Sequence, residues 1–144
     1  MLKKVIIGFM GILLLFSFPL SAQASELRSE SQLQQIIDVK PAWTSIATLG
    51  NNLNIYTGGN AVISVTIIIN TGTSVKVQAY LQKYDNGNWV TVNNWETTFI
   101  GAQGGLGRTC QVNSGTYRNI AIVTTYNNGV QIEQIGDVSA IAYY

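Results

Sequence analysis

Two neighbouring segments of this 144-residue chain carry an apolar residue at every odd-numbered position. In AVISVTIII the run extends from Ala61 to Ile69, and in SVKVQAYL it extends from Val75 to Leu81. A period of two places successive side chains on opposite faces of a β-strand, so each segment has one continuous face for a core. The patterns therefore predict antiparallel strands that are buried on one side, as in an all-β domain.

Turn residues separate further segments of this kind. In YDNGNW, Asn86 and Gly87 suit the positive φ angles of a tight hairpin, and WVTVNNWETTF returns as the partner strand. A second hairpin follows around NNG, and we expect a bulge or bend at Gly136. GAQGGLG, from Gly101 to Gly107, lacks the following helix of a phosphate loop, so we expect a mobile loop or a bulged strand edge. About seven to nine short strands result, which favours a β-sandwich over a barrel with a pore.

The N-terminal segment has the pattern of a signal peptide. Lys3 and Lys4 precede an apolar run over residues 5–20, and Ala22 and Ala24 form an A-x-A cleavage site. We expect cleavage after Ala24, giving a secreted, extracellular protein with no stable membrane anchor. The predicted organisation is a signal peptide over residues 1–24, a lead-in segment over 25–41 and a sandwich domain over 42–144.

The lead-in segment is interpreted as flexible or as a short helix. Leu33, Ile36 and Ile37 have helical spacing before Pro41. Short isolated helices are marginally stable in water, so we favour the flexible alternative.

The segment NSGTYRN resembles the crossover into strand F of immunoglobulin-like domains. Asn113, Gly115 and Tyr117 match the Asp, Gly and Tyr of that motif, and Asn119 stands where the disulfide cysteine would be. The resemblance implies a single immunoglobulin-like antiparallel β-sandwich. In such a tyrosine corner the tyrosine packs its ring on the core while its hydroxyl bonds back to the loop backbone.

A longer resemblance covers roughly residues 74–144. The pattern YLQKYDNGNWVTVNNW, followed by SGTYR and an NNG hairpin, is similar to a family of small secreted β-sandwich proteins of Gram-positive bacteria. That family is functionally uncharacterised. The resemblance therefore implies a location and a fold, and no catalytic residue.

Composition excludes several classes of chemistry. The chain has no histidine, which removes Ser-His and Cys-His nucleophile systems and His-ligated metal sites. Cys110 is the single cysteine, and it is interpreted as a small apolar residue in a strand. Of the eight basic residues the leader takes two, leaving six against seven acidic ones, so we expect no nucleic-acid partner. We expect no metal and no cofactor.

Four carboxylates in the strand region are candidates for acid–base chemistry: Asp85, Glu96, Glu133 and Asp137. A hydrolase that uses Glu96 and Glu133 is one possible function, although nothing in the sequence brings the two together. Solvated charges that discourage edge-to-edge aggregation are the alternative, and we favour them. The sequence therefore assigns no catalytic residue.

Four aromatic residues of the first hairpin are candidates for a ligand platform: Tyr80, Tyr84, Trp89 and Trp95. Outward-facing rings beside many Asn and Gln side chains could bind a glycan or a cell-surface protein. The alternative is that the tryptophans fill the core, Trp95 in particular. We favour a secreted, non-enzymatic binding module, and the competing hypothesis is a bacteriocin-like or pore-forming effector.

Overall fold

The computed structural model describes residues 28–38 and 43–144, which form a β-sandwich with one helix. The predicted signal peptide lies outside the described residues. In chain order the elements are α1 (Glu30–Asp38), β1 (Ile46–Tyr56), β2 (Asn60–Ile69), β3 (Ser74–Asp85), β4 (Asn88–Ile100), β5 (Gln103–Gln111), β6 (Thr116–Asn127), β7 (Val130–Val138) and β8 (Ala142–Tyr143).

Two antiparallel sheets make up the sandwich. One has the order β1-β2-β5, and the other has the order β4-β3-β6-β7, with β8 also paired to β6. The chain crosses from one sheet to the other after β2, β4 and β5, while β1–β2, β3–β4 and β6–β7 are hairpins within a sheet. The predicted antiparallel sandwich of seven to nine strands is confirmed.

The core lies between the two sheets and contains both alternating patterns. The odd-numbered residues from Ala61 to Ile69 and from Val75 to Leu81 all face this core and are buried. The hairpin between β3 and β4 is also confirmed. Its turn consists of Asn86 and Gly87, which have φ angles of 47° and 86°.

Helix α1 covers the outer face of the larger sheet. Leu33 is fully buried against Tyr80, Ile120 and Ile122, in a second apolar cluster separate from the sandwich core. The sequence S-x-x-Q at the start of α1 forms a capping box: Ser29 Oγ accepts from the amide of Gln32, whose side chain accepts from the Ser29 amide. Residues 30–38 form the short helix and not the flexible segment favoured by the sequence. Packing and capping supply stability that an isolated helix of this length lacks.

Gly136 does not mark a bulge or bend. It pairs in register with Ile122, and the irregularity in this strand pair lies between Thr125 and Tyr126. A Cβ at Gly136 would lie 2.9 Å from Ile37 Cγ2 and 3.1 Å from Ile36 Cγ2. Glycine therefore lets helix α1 approach the backbone of β7.

Most of the glycine-rich segment is a regular strand rather than a mobile loop. Residues from Gln103 onward form β5, which pairs with β2 without a register shift at one edge of the smaller sheet. The close approach of the two backbones explains the composition, since a Cβ at Gly105 would overlap the carbonyl group of Val65. Pairing with β2 fixes a segment whose composition alone suggested mobility.

Tyr117 has the geometry of a tyrosine corner. Its ring is buried in the core, and its hydroxyl donates to the carbonyl oxygen of Asn113 at 2.7 Å. Asn119 faces the interior, where its Nδ2 donates to Oδ1 of Asn51 on the opposite sheet at 2.7 Å. An amide–amide hydrogen bond thus joins the sheets from the position of the disulfide cysteine in antibody-type domains.

Replacing Tyr117 by Phe removes the hydroxyl and leaves the Asn113 carbonyl without this donor. We expect Tyr117→Phe to lower the free energy of unfolding by about 1 kcal/mol, the typical value of one hydrogen bond. Urea denaturation measures the difference. An unchanged unfolding midpoint would show that the bond does not stabilise this crossover.

Gly136→Ala should loosen the contact between α1 and β7, because the added methyl group overlaps Ile36 and Ile37. We expect a loss of about 1–3 kcal/mol, as for other overpacked sites. Gly107→Ala is the matched control, since a Cβ there meets nothing within 4 Å. Equal thermal unfolding midpoints for the two variants would contradict close helix packing at Gly136.

Candidate functional site

A bulge in β4 decides which aromatic residues share a surface. Leu81 pairs with Asn93 and Gln82 pairs with Thr91, which leaves Val92 as an extra residue in β4. An extra residue shifts the alternation of faces by one. Residues of the same parity before and after Val92 therefore point to opposite sides of the sheet.

The four residues of the predicted platform do not form one surface. Before the bulge, Trp89 pairs with Tyr84 on the outer face, whereas after it Trp95 pairs with Ala79 and packs against the sandwich core. Tyr80 is on the outer face but is only 1% exposed, because helix α1 covers it. The platform is corrected to the pair Tyr84 and Trp89, whose ring centroids lie 5.2 Å apart at an angle of 58°.

The positively charged side chain of Arg118 lies over the Trp89 ring of this aromatic pair. Its guanidinium carbon lies 4.4 Å from the centroid of the Trp89 ring, within the range of cation–π attraction. Its Nε donates to Oε1 of Gln82 at 2.8 Å. Both contacts fix the plane of the guanidinium group.

Glu30 connects helix α1 to the same part of the sheet. One carboxylate oxygen accepts from the Thr91 amide at 2.8 Å, and the other accepts from the side-chain amide of Gln82. Burial lowers the pKa of Arg118, while the nearby charge of Glu30 opposes that effect. Residues of one helix and three strands thus form a single hydrogen-bonded network.

This network borders an open cleft of about 520 Å³, which we call the outer-face cleft. Ser31 and Gln34 line it from α1, Gly87 from the hairpin turn, Asn88 and Trp89 from β4, and Arg118 from β6. A concave surface with an aromatic ring, a guanidinium group and several neutral polar side chains suits a polar ligand that also has apolar faces.

No pattern in the sequence indicates Glu30, Gln82 or Arg118 as site residues. Gln82 and Arg118 are paired across β3 and β6, a register that no local pattern reports. Glu30 reaches the site because α1 docks on the sheet. The capping signal at Ser29 and Gln32 was present in the sequence and could have indicated the helix.

Glu96 and Glu133 do not form a catalytic pair. Glu96 lies on the outer face, where it accepts from Gln78 and forms an ion pair with Lys76 at 3.0 Å. Glu133 lies three strands away, about 14 Å at the usual strand spacing, and pairs with the inward-facing Thr125. The two carboxylates therefore lie on opposite faces of the sheet.

Glu133 instead holds the segment that enters β1. Its carboxylate accepts from the amides of Thr44 and Ser45 at 3.0 and 2.8 Å, and from the Ser45 hydroxyl. Burial raises the pKa of Glu133, but the hydrogen bonds from Ser45, Thr44 and Ile46 together outweigh it, so the pKa is lowered. The carboxylate thus has a structural role.

Cys110 lies half-buried beside the core and lines a small cavity of about 170 Å³ together with Lys83 and Tyr117. Burial raises the pKa of the Cys110 thiol, against a smaller opposite effect of a hydrogen bond with Asn93. A raised pKa disfavours the reactive thiolate. The packing of Cys110 agrees with its interpretation as an apolar residue.

Within residues 28–38 and 43–144, no group of three or more Cys, Asp or Glu side chains is placed to hold a metal ion. In the same part of the chain, no helix has the length and apolar character needed to cross a membrane.

Comparison with known proteins assigns no family and no function to this chain. No family model and no curated protein sequence matches the chain. Among solved structures, the chain is similar to the CARDB domain of a Pyrococcus furiosus protein, determined in complex with di-metal ions. The identity is 16%, the match covers 71% of this chain and 95% of that domain, and the TM-score is 0.35. At these values the similarity supports no transfer of function.

Glu133→Gln removes the charge that accepts three hydrogen bonds, so we expect a lower unfolding temperature at pH 7. Because the folded state lowers the pKa of Glu133, its contribution to stability is present above the unfolded-state pKa of about 4.3 and is lost as the pH falls through the folded-state value. The difference from the unmodified protein should therefore shrink towards pH 3. Asp85→Asn, at an exposed hairpin position, is the control for the change in net charge. A difference that stays constant between pH 7 and pH 3 would contradict this role.

Proposed function

We propose that this protein is a secreted, non-enzymatic β-sandwich module that binds a glycan at the cell surface or in the medium. Binding takes place at the outer-face cleft, with Tyr84 and Trp89 as the aromatic contact. The export part of the proposal rests on the leader sequence, with its basic start, apolar run and A-x-A site.

The observation that carries the binding proposal is the stacking of Arg118 on Trp89 above an open cleft. Sugars have apolar C–H faces and polar hydroxyl edges, so their sites combine an aromatic surface with hydrogen-bonding side chains. Tyr84 is 48% exposed beside Trp89, and Asn88, Gln34 and Ser31 supply amide and hydroxyl groups around the cleft.

Rigidity of the site also supports a binding role. Arg118 is held by Gln82, which is held in turn by Glu30, so the guanidinium group is positioned before any ligand arrives. Groups that are already ordered lose less conformational entropy on binding.

Trp89→Ala should abolish or weaken glycan binding by about tenfold or more, because it removes the aromatic surface and the support for Arg118. The measurement is retention on a panel of immobilised polysaccharides, followed by titration with the best ligand. Trp43→Ala is the matched control, since Trp43 is 46% exposed and does not line the cleft.

Equal binding by Trp89→Ala and the unmodified protein would remove the outer-face cleft as the site. Retention of no polysaccharide by the unmodified protein would contradict glycan binding as a whole. Thermal unfolding of both variants separates loss of contact from loss of fold.

A further inference from the structure

The guanidinium group of Arg118 makes two contacts within the protein, one through Nε and one through a face of the group. Nε donates to Gln82, and one face of the group lies over Trp89. Among the described residues, no hydrogen-bond partner is present for either η nitrogen. Arg118 lines the outer-face cleft and is only partly buried, so a molecule bound there can reach its guanidinium group.

An arginine edge of this kind has a specific complement. The N–H groups of a guanidinium form a flat fork that matches the two oxygens of a carboxylate. A lysine in the same place would act as a point charge without the fork. The Arg118 geometry therefore favours an anion that presents two oxygens side by side, as a carboxylate does.

Glu30 does not fill the role of that anion. Both of its carboxylate oxygens already accept hydrogen bonds, one from the Thr91 amide and one from Gln82. No ion pair within 4 Å joins it to Arg118 in the described part of the chain. Glu30 orients Gln82, and through Gln82 it orients Arg118.

The surroundings favour a sugar as the carrier of the carboxylate. Apart from Arg118 and Glu30, the cleft is lined by uncharged residues, including Asn88 and Gln34, whose side-chain amides suit hydroxyl groups. An acidic peptide or a polyanion bound by charge alone would be better served by several cations. The cleft offers one cation beside an aromatic ring.

We infer that the outer-face cleft binds a sugar that bears a carboxylate, and that Arg118 determines this specificity through its η nitrogens. The inference rests on the proposed glycan-binding function and names the class of sugar. The ring of the sugar packs beside Trp89 and Tyr84, while its hydroxyl groups bond to polar side chains of the cleft.

Calorimetric titration with oligogalacturonate and with its methyl ester tests the inference, because esterification removes the carboxylate charge and adds only a methyl group. We expect the unmodified protein to bind the acid form about tenfold more tightly or better, as for other hydrogen bonds between charged groups. Arg118→Gln should abolish the difference, and Arg118→Lys should retain only part of it. Arg108→Gln is the matched control, because Arg108 is exposed on β5 and does not line the cleft.

The outcomes separate the two proposals. If acid and ester bind equally well and both depend on Trp89, the inference is overturned while the glycan-binding function stands. If poly-glutamate binds as tightly as oligogalacturonate, the sugar is not recognised and the inference also fails. If no glycan of any charge binds, the proposed function itself is lost. The comparison of acid and ester uses the unmodified protein, so it tests the preference for a carboxylate even if Arg118→Gln fails to fold. In that case Arg118→Lys tests the role of Arg118, and full retention of the difference by this variant would contradict it.

Discussion

The burial of Leu33 on the outer face of the larger sheet is the contact on which the proposed site depends. A fully buried leucine side chain contributes about 1.5–3 kcal/mol, which a helix of nine residues cannot obtain from its backbone alone. The same contact brings Glu30 to Gln82 and Thr91. Docking of the helix and orientation of Arg118 are therefore parts of one packing arrangement.

Helix docking also explains the unusual burial of the central strands. In β3 and β6 the inner face meets the opposite sheet and the outer face meets α1, so consecutive residues are buried along most of each strand. Two polar residues of β6 that are enclosed in this way form hydrogen bonds across the sandwich, Asn119 with Asn51 and Thr125 with Ser45. Hydrogen bonds thus join elements of a chain whose single cysteine cannot form an internal disulfide.

Local patterns in the sequence predicted the features that depend on neighbouring residues. The alternation in β2 and β3, the Asn86-Gly87 turn and the corner at Tyr117 each follow from a few adjacent positions. The face of Trp89 relative to Trp95 depends on where an extra residue enters the ladder, and burial of Tyr80 depends on a distant helix. Those properties come from strand register and tertiary packing, which a single sequence does not display.

The bulge at Val92 has a consequence for comparing this chain with its relatives. The extra residue shifts the alternation of faces in β4, so the residues on its two sides follow opposite parities. An alignment gap at this position would therefore change which residues face the cleft while leaving the core sequence intact. Two related chains could then have identical tryptophans in identical order and still present different surfaces. In β4, the number of residues between the Asn86-Gly87 turn and Trp95 determines which side chains reach the outer face as much as their identity does.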